Sequence, residues 1–141
     1  MFKKTIVSII SLLIAGQTMA SEVELDCKST TCKLRYSGYK DKNVEIPKGI
    51  SSIKIRYSGS GDLTLEGEVE EIDVTSKGSG DLDLRDLRAD SVELDHSGSG
   101  SLYLHAKQAV SGYNDGSGNV VIVGGAKVSL DGSGSGRVVQ R

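Results

Sequence analysis

Two stretches nineteen residues apart decide the fold, namely Gly59-Ser60-Gly61-Asp62-Leu63-Thr64-Leu65 and Gly78-Ser79-Gly80-Asp81-Leu82-Asp83-Leu84. The Gly-Ser-Gly triplet recurs three more times along the chain, and successive triplets are 19, 20, 18 and 18 residues apart. Alternating apolar residues follow each triplet, and a second alternating pair ends four residues before the next one. This regularity predicts an architecture in which equivalent units stack on one another. The further triplets begin at Gly98, Gly116 and Gly134.

Each repeat contains two predicted strands, called strand A after the triplet and strand B before it. Their period of two is typical of half-buried strands, and stacking equivalent strands gives parallel pairing. No helical segment is available to cover a flat sheet. We therefore predict an all-β, single-domain parallel β-helix of about six rungs of 18–21 residues. The earliest inward pairs are Leu25/Cys27 and Cys32/Leu34 in the first rung, then Val44/Ile46 and Ile53/Ile55.

The glycines of the triplet mark a corner that is repeated on every rung. Two physical explanations fit them equally well at this stage. The corner needs either a backbone with positive φ or the absence of Cβ, which lets stacked turns approach closely.

The first twenty residues have the features of a secretory signal. Lys3 and Lys4 form a basic region, residues 6–15 are largely apolar, and Thr18-Met19-Ala20 provides small residues for cleavage. The apolar run is shorter than the roughly 20 residues that a membrane-spanning helix needs. We predict a signal peptide at 1–20 and a β-solenoid domain at 21–141, exported to the periplasm or secreted, with no transmembrane segment in the mature chain.

Composition limits the possible functions. The net charge is −2, which gives no support to nucleic-acid binding. The two cysteines, Cys27 and Cys32, lie close together in a chain predicted to enter an oxidising compartment, so we expect one local disulfide. At inward positions of the first rung, stacked over Ile46 and Ile53, this disulfide would help to cap the lower end of the solenoid.

The G-S-G-D-L-x-L motif at Gly59–Leu65 and Gly78–Leu84 resembles the head GIN domain of autotransporter-type adhesins, over roughly residues 35–140. The resemblance implies a bacterial exported domain with a right-handed parallel β-helix and an adhesive role. It supplies no catalytic residues. The uneven rung length also favours a right-handed coil, because left-handed hexapeptide coils keep to multiples of six.

The outward positions of strand B carry the first candidate site. Four cations, Lys33, Arg35, Lys54 and Arg56, are expected on adjacent rungs and would form a patch able to bind an anionic glycan or a lipid headgroup. The alternative is a solvated face whose edge pairs with Asp73, and such exposed ion pairs contribute little.

A pair of carboxylates is the second candidate site. Asp62 and Asp81 would stack one rung apart, where a Ca²⁺ ion would relieve their repulsion, but the glycine-rich nonapeptide of Ca²⁺-binding β-rolls is absent. Hydrated, splayed carboxylates are the favoured interpretation, so no metal site is predicted. His96, expected under Ser76 near the corner, and His105 do not converge on a metal or catalytic site.

An apolar patch is expected near the C-terminus on the outward side of strand A. Its members, Tyr103, Val121, Val123 and Val139, favour either contact with a partner or cover by a local loop.

No catalytic constellation or cofactor motif appears, so we expect the protein not to be an enzyme and to need no cofactor. The predicted function is an exported, adhesion-like binding module of the bacterial envelope. Its partners would be an envelope glycan, lipopolysaccharide or a protein, and not nucleic acid. The alternative is a structural or self-assembling envelope protein, a homo-oligomer that associates through its C-terminal edge or its apolar face.

Overall fold

A computed structural model describes residues 23–141, so the predicted signal peptide lies outside the described residues. This region is all-β, and the part of the chain that the structure describes has no helix able to cross a membrane. The strands are β1 (Val23–Lys28), β2 (Thr31–Tyr36), β3 (Lys42–Glu45), β4 (Ser52–Tyr57), β5 (Leu63–Glu68), β6 (Glu71–Ser76), β7 (Leu82–His96), β8 (Leu102–Asn114), β9 (Val120–Val123), β10 (Lys127–Asp131) and β11 (Val138–Gln140).

The strands form two parallel stacks that face each other across one core. The B stack runs from β2 through β4, β6 and the second halves of β7 and β8 to β10. The A stack runs from β3 through β5, the first halves of β7 and β8, and β9 to β11. The predicted β-solenoid of about six coils is therefore confirmed.

The core consists of columns of small aliphatic side chains, one from each coil. In the B stack, one column contains Cys32, Ile53, Ile72, Val92, Val110 and Val128. The alternation predicted from sequence is visible in the burial of β4, where the inward side chains are buried and Lys54 and Arg56 are exposed. Each coil thus covers the apolar face of the coil below it.

The corner glycines are explained by close approach and not by positive φ. A Cβ at Gly59 would lie 2.0 Å from the carbonyl oxygen of Gly38, and a Cβ at Gly100 would lie 1.8 Å from that of Gly80. The left-handed glycines of the structure, such as Gly67, lie elsewhere. Of the two explanations that the sequence left open, the tight stacking of corners is the correct one.

The prediction for the first rung is wrong in its A strand. β1 pairs antiparallel with β2 as a hairpin, with Cys27 directly opposite Cys32, and does not stack beneath β3. The reason is the turn, because Ser29 has a φ of 58° and the chain reverses over Ser29 and Thr30. A two-residue turn with positive φ closes an antiparallel hairpin, whereas β5 and β6, which are also only two residues apart, belong to different stacks and do not pair with each other.

The cysteine pairing itself agrees with the prediction. Cys27 and Cys32 are joined by a disulfide with their Cα atoms 4.0 Å apart. Cys32 is fully buried and pairs in register with Ile53, as expected, whereas Cys27 is only partly buried and does not stack on Ile46. The hairpin covers the lower end of the core, where Leu25 is buried.

The prediction for the next A strand is displaced by two residues. Lys42 pairs with Leu63 and Val44 pairs with Leu65, so the inward pair is Lys42/Val44, and Ile46 is buried just beyond it. The corner before β3 has the same length as the later corners, and this length places Lys42 at the first inward position. A lysine stem is long enough to cover apolar surface while its ammonium stays in water, which an apolar-only pattern search misses.

Candidate anion-binding groove

The structure brings the four predicted cations together on the outer side of the B stack. Lys33 pairs in register with Lys54, and Arg35 with Arg56, and all four side chains are exposed. Carboxylates border this basic patch on both sides. Glu24 and Asp26 of β1 lie opposite Arg35 and Lys33, and the Lys54 Nζ atom lies 3.9 Å from an Asp73 oxygen.

A groove at the corner side of the patch adds residues that the sequence analysis did not select. It encloses about 470 Å³ and combines Arg35 and Arg56 with a third cation, Lys77. Three hydroxyl side chains, Ser37, Ser58 and Thr75, and one carboxylate, Glu24, also line it, whereas Lys33 and Lys54 do not. We call this feature the basic groove.

The repeat itself contained the signal for Lys77. Ser37, Ser58 and Lys77 occupy the same position of successive repeats, one residue before the first glycine of the corner. Lys77 lies one residue beyond β6, so the comparison of outward cations within strand B did not include it. Extending each column into the corner would have identified it.

Two stacked tyrosines give the basic groove a rigid floor. The rings of Tyr36 and Tyr57 lie 5.1 Å apart and nearly parallel, and both side chains are buried. Tyr36 donates a hydrogen bond to the carbonyl of Lys40 over 2.6 Å, and Tyr57 donates one to the carbonyl of Gly61. Burial raises the pKa of Tyr57 well above its usual range, so its phenol stays neutral and serves to fix the corner.

A second groove runs along the outside of the corners and is continuous with the first. It encloses about 840 Å³ and is lined by serines and glycines of six successive corners. Ser37, Ser58 and Lys77 line both grooves, and Tyr39, which is 73% exposed, lies at one end. A chain-like ligand could therefore pass from the basic groove along this corner groove.

Asp62 and Asp81 stack as predicted, and their oxygens are engaged by the backbone. The N–H of Asp81 donates to Asp62 Oδ1 over 2.9 Å, and the N–H of Ser101 donates to Asp81 Oδ1 over 2.9 Å. These hydrogen bonds hold one oxygen of each carboxylate against the backbone of the next coil. Within residues 23–141, no group of three or more potential metal ligands is found.

The predicted apolar patch forms a ladder on the outer side of the A stack. Tyr103, Val121 and Val139 pair in register on successive coils, with Val123 beside them, and all four are half-buried. The Arg85 guanidinium lies 4.6 Å from the centre of the Tyr103 ring. The patch is thus partly covered by a charged side chain.

Arg85 is itself fixed by an acidic neighbour. Its Nη2 atom lies 2.6 Å from Asp83 Oδ2, and this hydrogen bond is the main reason that the pKa of Asp83 lies below its usual range. The pair borders the apolar patch on its N-terminal side.

The two histidines lie apart, as expected from the sequence. His96 is inward and fully buried, in register with Ser76 below and Asn114 above, whereas His105 is half-buried on the outer side of the A stack. Neither ring nitrogen of His96 has a hydrogen-bond partner among the described residues. His96 occupies the column that begins with the stacked tyrosines.

Comparison with known proteins gives one match. A family model described as "Putative auto-transporter adhesin, head GIN domain" matches residues 3–126. The match includes every residue that lines the basic groove and ends one residue before β10. No curated protein and no solved structure matches the chain significantly.

Proposed function

This chain belongs to the head GIN domain family of auto-transporter adhesins, and we propose from that premise that it is an exported, non-enzymatic binding module of the bacterial envelope. The family indicates an adhesin-like, exported protein. We place it in the periplasm or outside the cell, and we assign the binding of an acidic envelope glycan to the basic groove.

The observation that carries this proposal is the convergence of three cations from three successive coils. Among residues 23–141, no carboxylate oxygen lies within ion-pair distance of Arg35, Arg56 or Lys77. Their charges are therefore available to a ligand. Arginine binds carboxylate and phosphate groups through two parallel hydrogen bonds, and lysine adds a point charge.

The surroundings of the cations favour a glycan over an isolated anion. Hydroxyls of Ser37, Ser58 and Thr75 line the basic groove, and each can both donate and accept hydrogen bonds. The corner groove continues this hydroxyl lining past the exposed ring of Tyr39. A polymer of sugar rings with carboxylate groups matches both the charge and the hydroxyl-rich path.

The direct test is binding of alginate, a linear polyuronate, with neutral dextran as the comparison ligand. We expect alginate to bind and dextran not to bind, and the affinity to fall as salt is raised. Arg56→Glu should weaken alginate binding by about tenfold or more, because it removes one cation and places a carboxylate in the groove.

Arg88→Glu is the matched control, since it makes the same change of net charge at an exposed residue of β7 outside both grooves. It should bind alginate as the unaltered protein does. If the Arg56 and Arg88 variants lost affinity equally, binding would depend only on the net charge of the protein, and the assignment of the basic groove would be wrong. Undiminished binding by the double variant Arg35→Glu/Arg56→Glu would do the same.

A further inference from the structure

Within residues 23–141, no coil covers the apolar side chains of the last coil, formed by β10 and β11. Val110 and Val120 are almost completely buried, but the residues stacked above them, Val128 and Val138, are not. Val138 is 43% exposed, and Val128 and Leu130 are only partly buried. At the other end, the disulfide-linked hairpin of β1 and β2 covers the core.

Unpaired backbone groups lie at the same end. In each coil the inward residues direct their polar backbone atoms toward the next coil. The carbonyl of the inward Tyr57 accepts a hydrogen bond from the N–H of Lys77 in the next coil over 2.8 Å. The N–H of the inward Val120 likewise donates to the carbonyl of Arg137 in the next coil over 2.8 Å. Among the described residues, β10 pairs only with β8 and β11 only with β9. The N–H and C=O groups of successive residues in a strand point alternately toward one neighbouring strand and the other. Those of the inward Val128 and Leu130 therefore point toward the open edge.

We propose that this edge binds a second copy of the chain, with the two β10 strands antiparallel and centred on Ser129. In that register Val128 of each copy pairs with Leu130 of the other, and four hydrogen bonds satisfy their open groups. The exposed ends are complementary as well, because Lys127 of each copy lies opposite Asp131 of the other. Opposite charges at directly facing positions stabilise a strand pair.

Charge also disfavours a head-to-tail arrangement, in which β10 pairs with β1 of the next copy. The register that overlaps all of β10 and keeps inward residues opposite inward residues places Lys127 opposite Lys28 and Asp131 opposite Glu24, so like charges face each other twice. A symmetric pairing closes at two copies, whereas a head-to-tail pairing would continue into filaments. The geometry therefore favours a closed dimer.

Charge exchange within β10 tests the register. Sedimentation of the purified protein should show a monomer–dimer equilibrium. Asp131→Lys alone, or Lys127→Asp alone, places like charges at both ends of the strand pair and should weaken the dimer by about tenfold or more. An equimolar mixture of the two variants restores opposite charges at both positions and should form the heterodimer.

Asp86→Lys is the matched control, because it changes the charge as Asp131→Lys does at an exposed residue of β7 away from the edge. Its dimer should be unaffected. The heterodimer also guards against misfolding, since two unfolded variants would not rescue each other. A monomer at all concentrations, growth beyond two copies, or two variants that fail to associate when mixed while each keeps its native circular dichroism would overturn the proposal.

Discussion

Acidification from neutral pH is expected to destabilise the protein through one residue, His96. Its side chain is fully buried, and neither Nδ1 nor Nε2 has a hydrogen-bond partner among the described residues. Burial lowers the pKa of His96 below its usual range, and backbone groups of Gly100 and Ser76 and the charge of Asp95 oppose this only in part. The folded state therefore holds the ring in its neutral form.

The sign of the effect follows from the direction of this pKa shift. The unfolded chain, with a histidine pKa of about 6.5, binds a proton before the folded protein does as the pH falls. Above the pKa of the unfolded state, the protein keeps its full free energy of unfolding. Below it, the free energy of unfolding falls by up to about 1.4 kcal/mol per pH unit, until the pH reaches the lower pKa of the folded state.

Urea unfolding at about pH 7.5, 6.5 and 5.5 measures this slope. His96→Phe should remove most of it, and should raise the stability at neutral pH by about 1–2 kcal/mol, because a ring of similar size replaces two unsatisfied polar atoms. The chain has two histidines, so His105→Gln is the matched control and should keep the slope. If His96→Phe kept the slope and His105→Gln lost it, the reasoning would be refuted.

Three further predictions concern the scaffold. Gly100→Ala should destabilise the fold by about 3 kcal/mol or more, whereas Ser99→Ala, at the exposed residue beside it, should be nearly neutral in the same urea unfolding assay. Reducing the Cys27–Cys32 disulfide should cost about 2 kcal/mol or less, since the closed loop is short, and is measured as the shift in urea midpoint with reductant. Tyr57→Phe should cost about 1 kcal/mol in thermal or urea unfolding, because the corner carbonyl of Gly61 loses its donor.

The sequence predicted the coils because their two determinants are local and repeated. Alternation, as in Leu63 and Leu65, specifies which side chains face inward, and the spacing of glycines such as Gly59 and Gly78 specifies where the chain turns. Both survive unchanged in the structure. The basic patch was predictable for the same reason, since Arg35 and Arg56 occupy equivalent positions of neighbouring repeats.

The features that the sequence analysis missed depend on interruptions of the repeat. β1 contains an alternating pair that fits a rung, but the chain folds back because of the turn conformation of Ser29, which the alternation does not specify. Lys42 takes an inward position that an apolar pattern assigns to other residues. The basic groove depends on Lys77, which lies beyond the end of a strand, where periodicity in apolar residues gives no information.

Dimer formation would change how the protein binds long glycans, because of where the basic grooves lie. A twofold axis through Ser129, normal to the B stack, leaves both grooves on the same face of the dimer. Nine strand spacings separate the two Arg56 residues, which is about 43 Å at the spacing of neighbouring strands. Chains that reach this far engage both grooves and gain affinity through the high effective concentration of the second site, whereas short fragments cannot.

Asp131→Lys should therefore weaken binding of long alginate chains and leave that of short alginate oligomers unchanged in the same titration. If the binding of long chains and short oligomers weakened equally, Asp131 would belong to the binding site. If neither changed, dimer formation would have no effect on glycan binding.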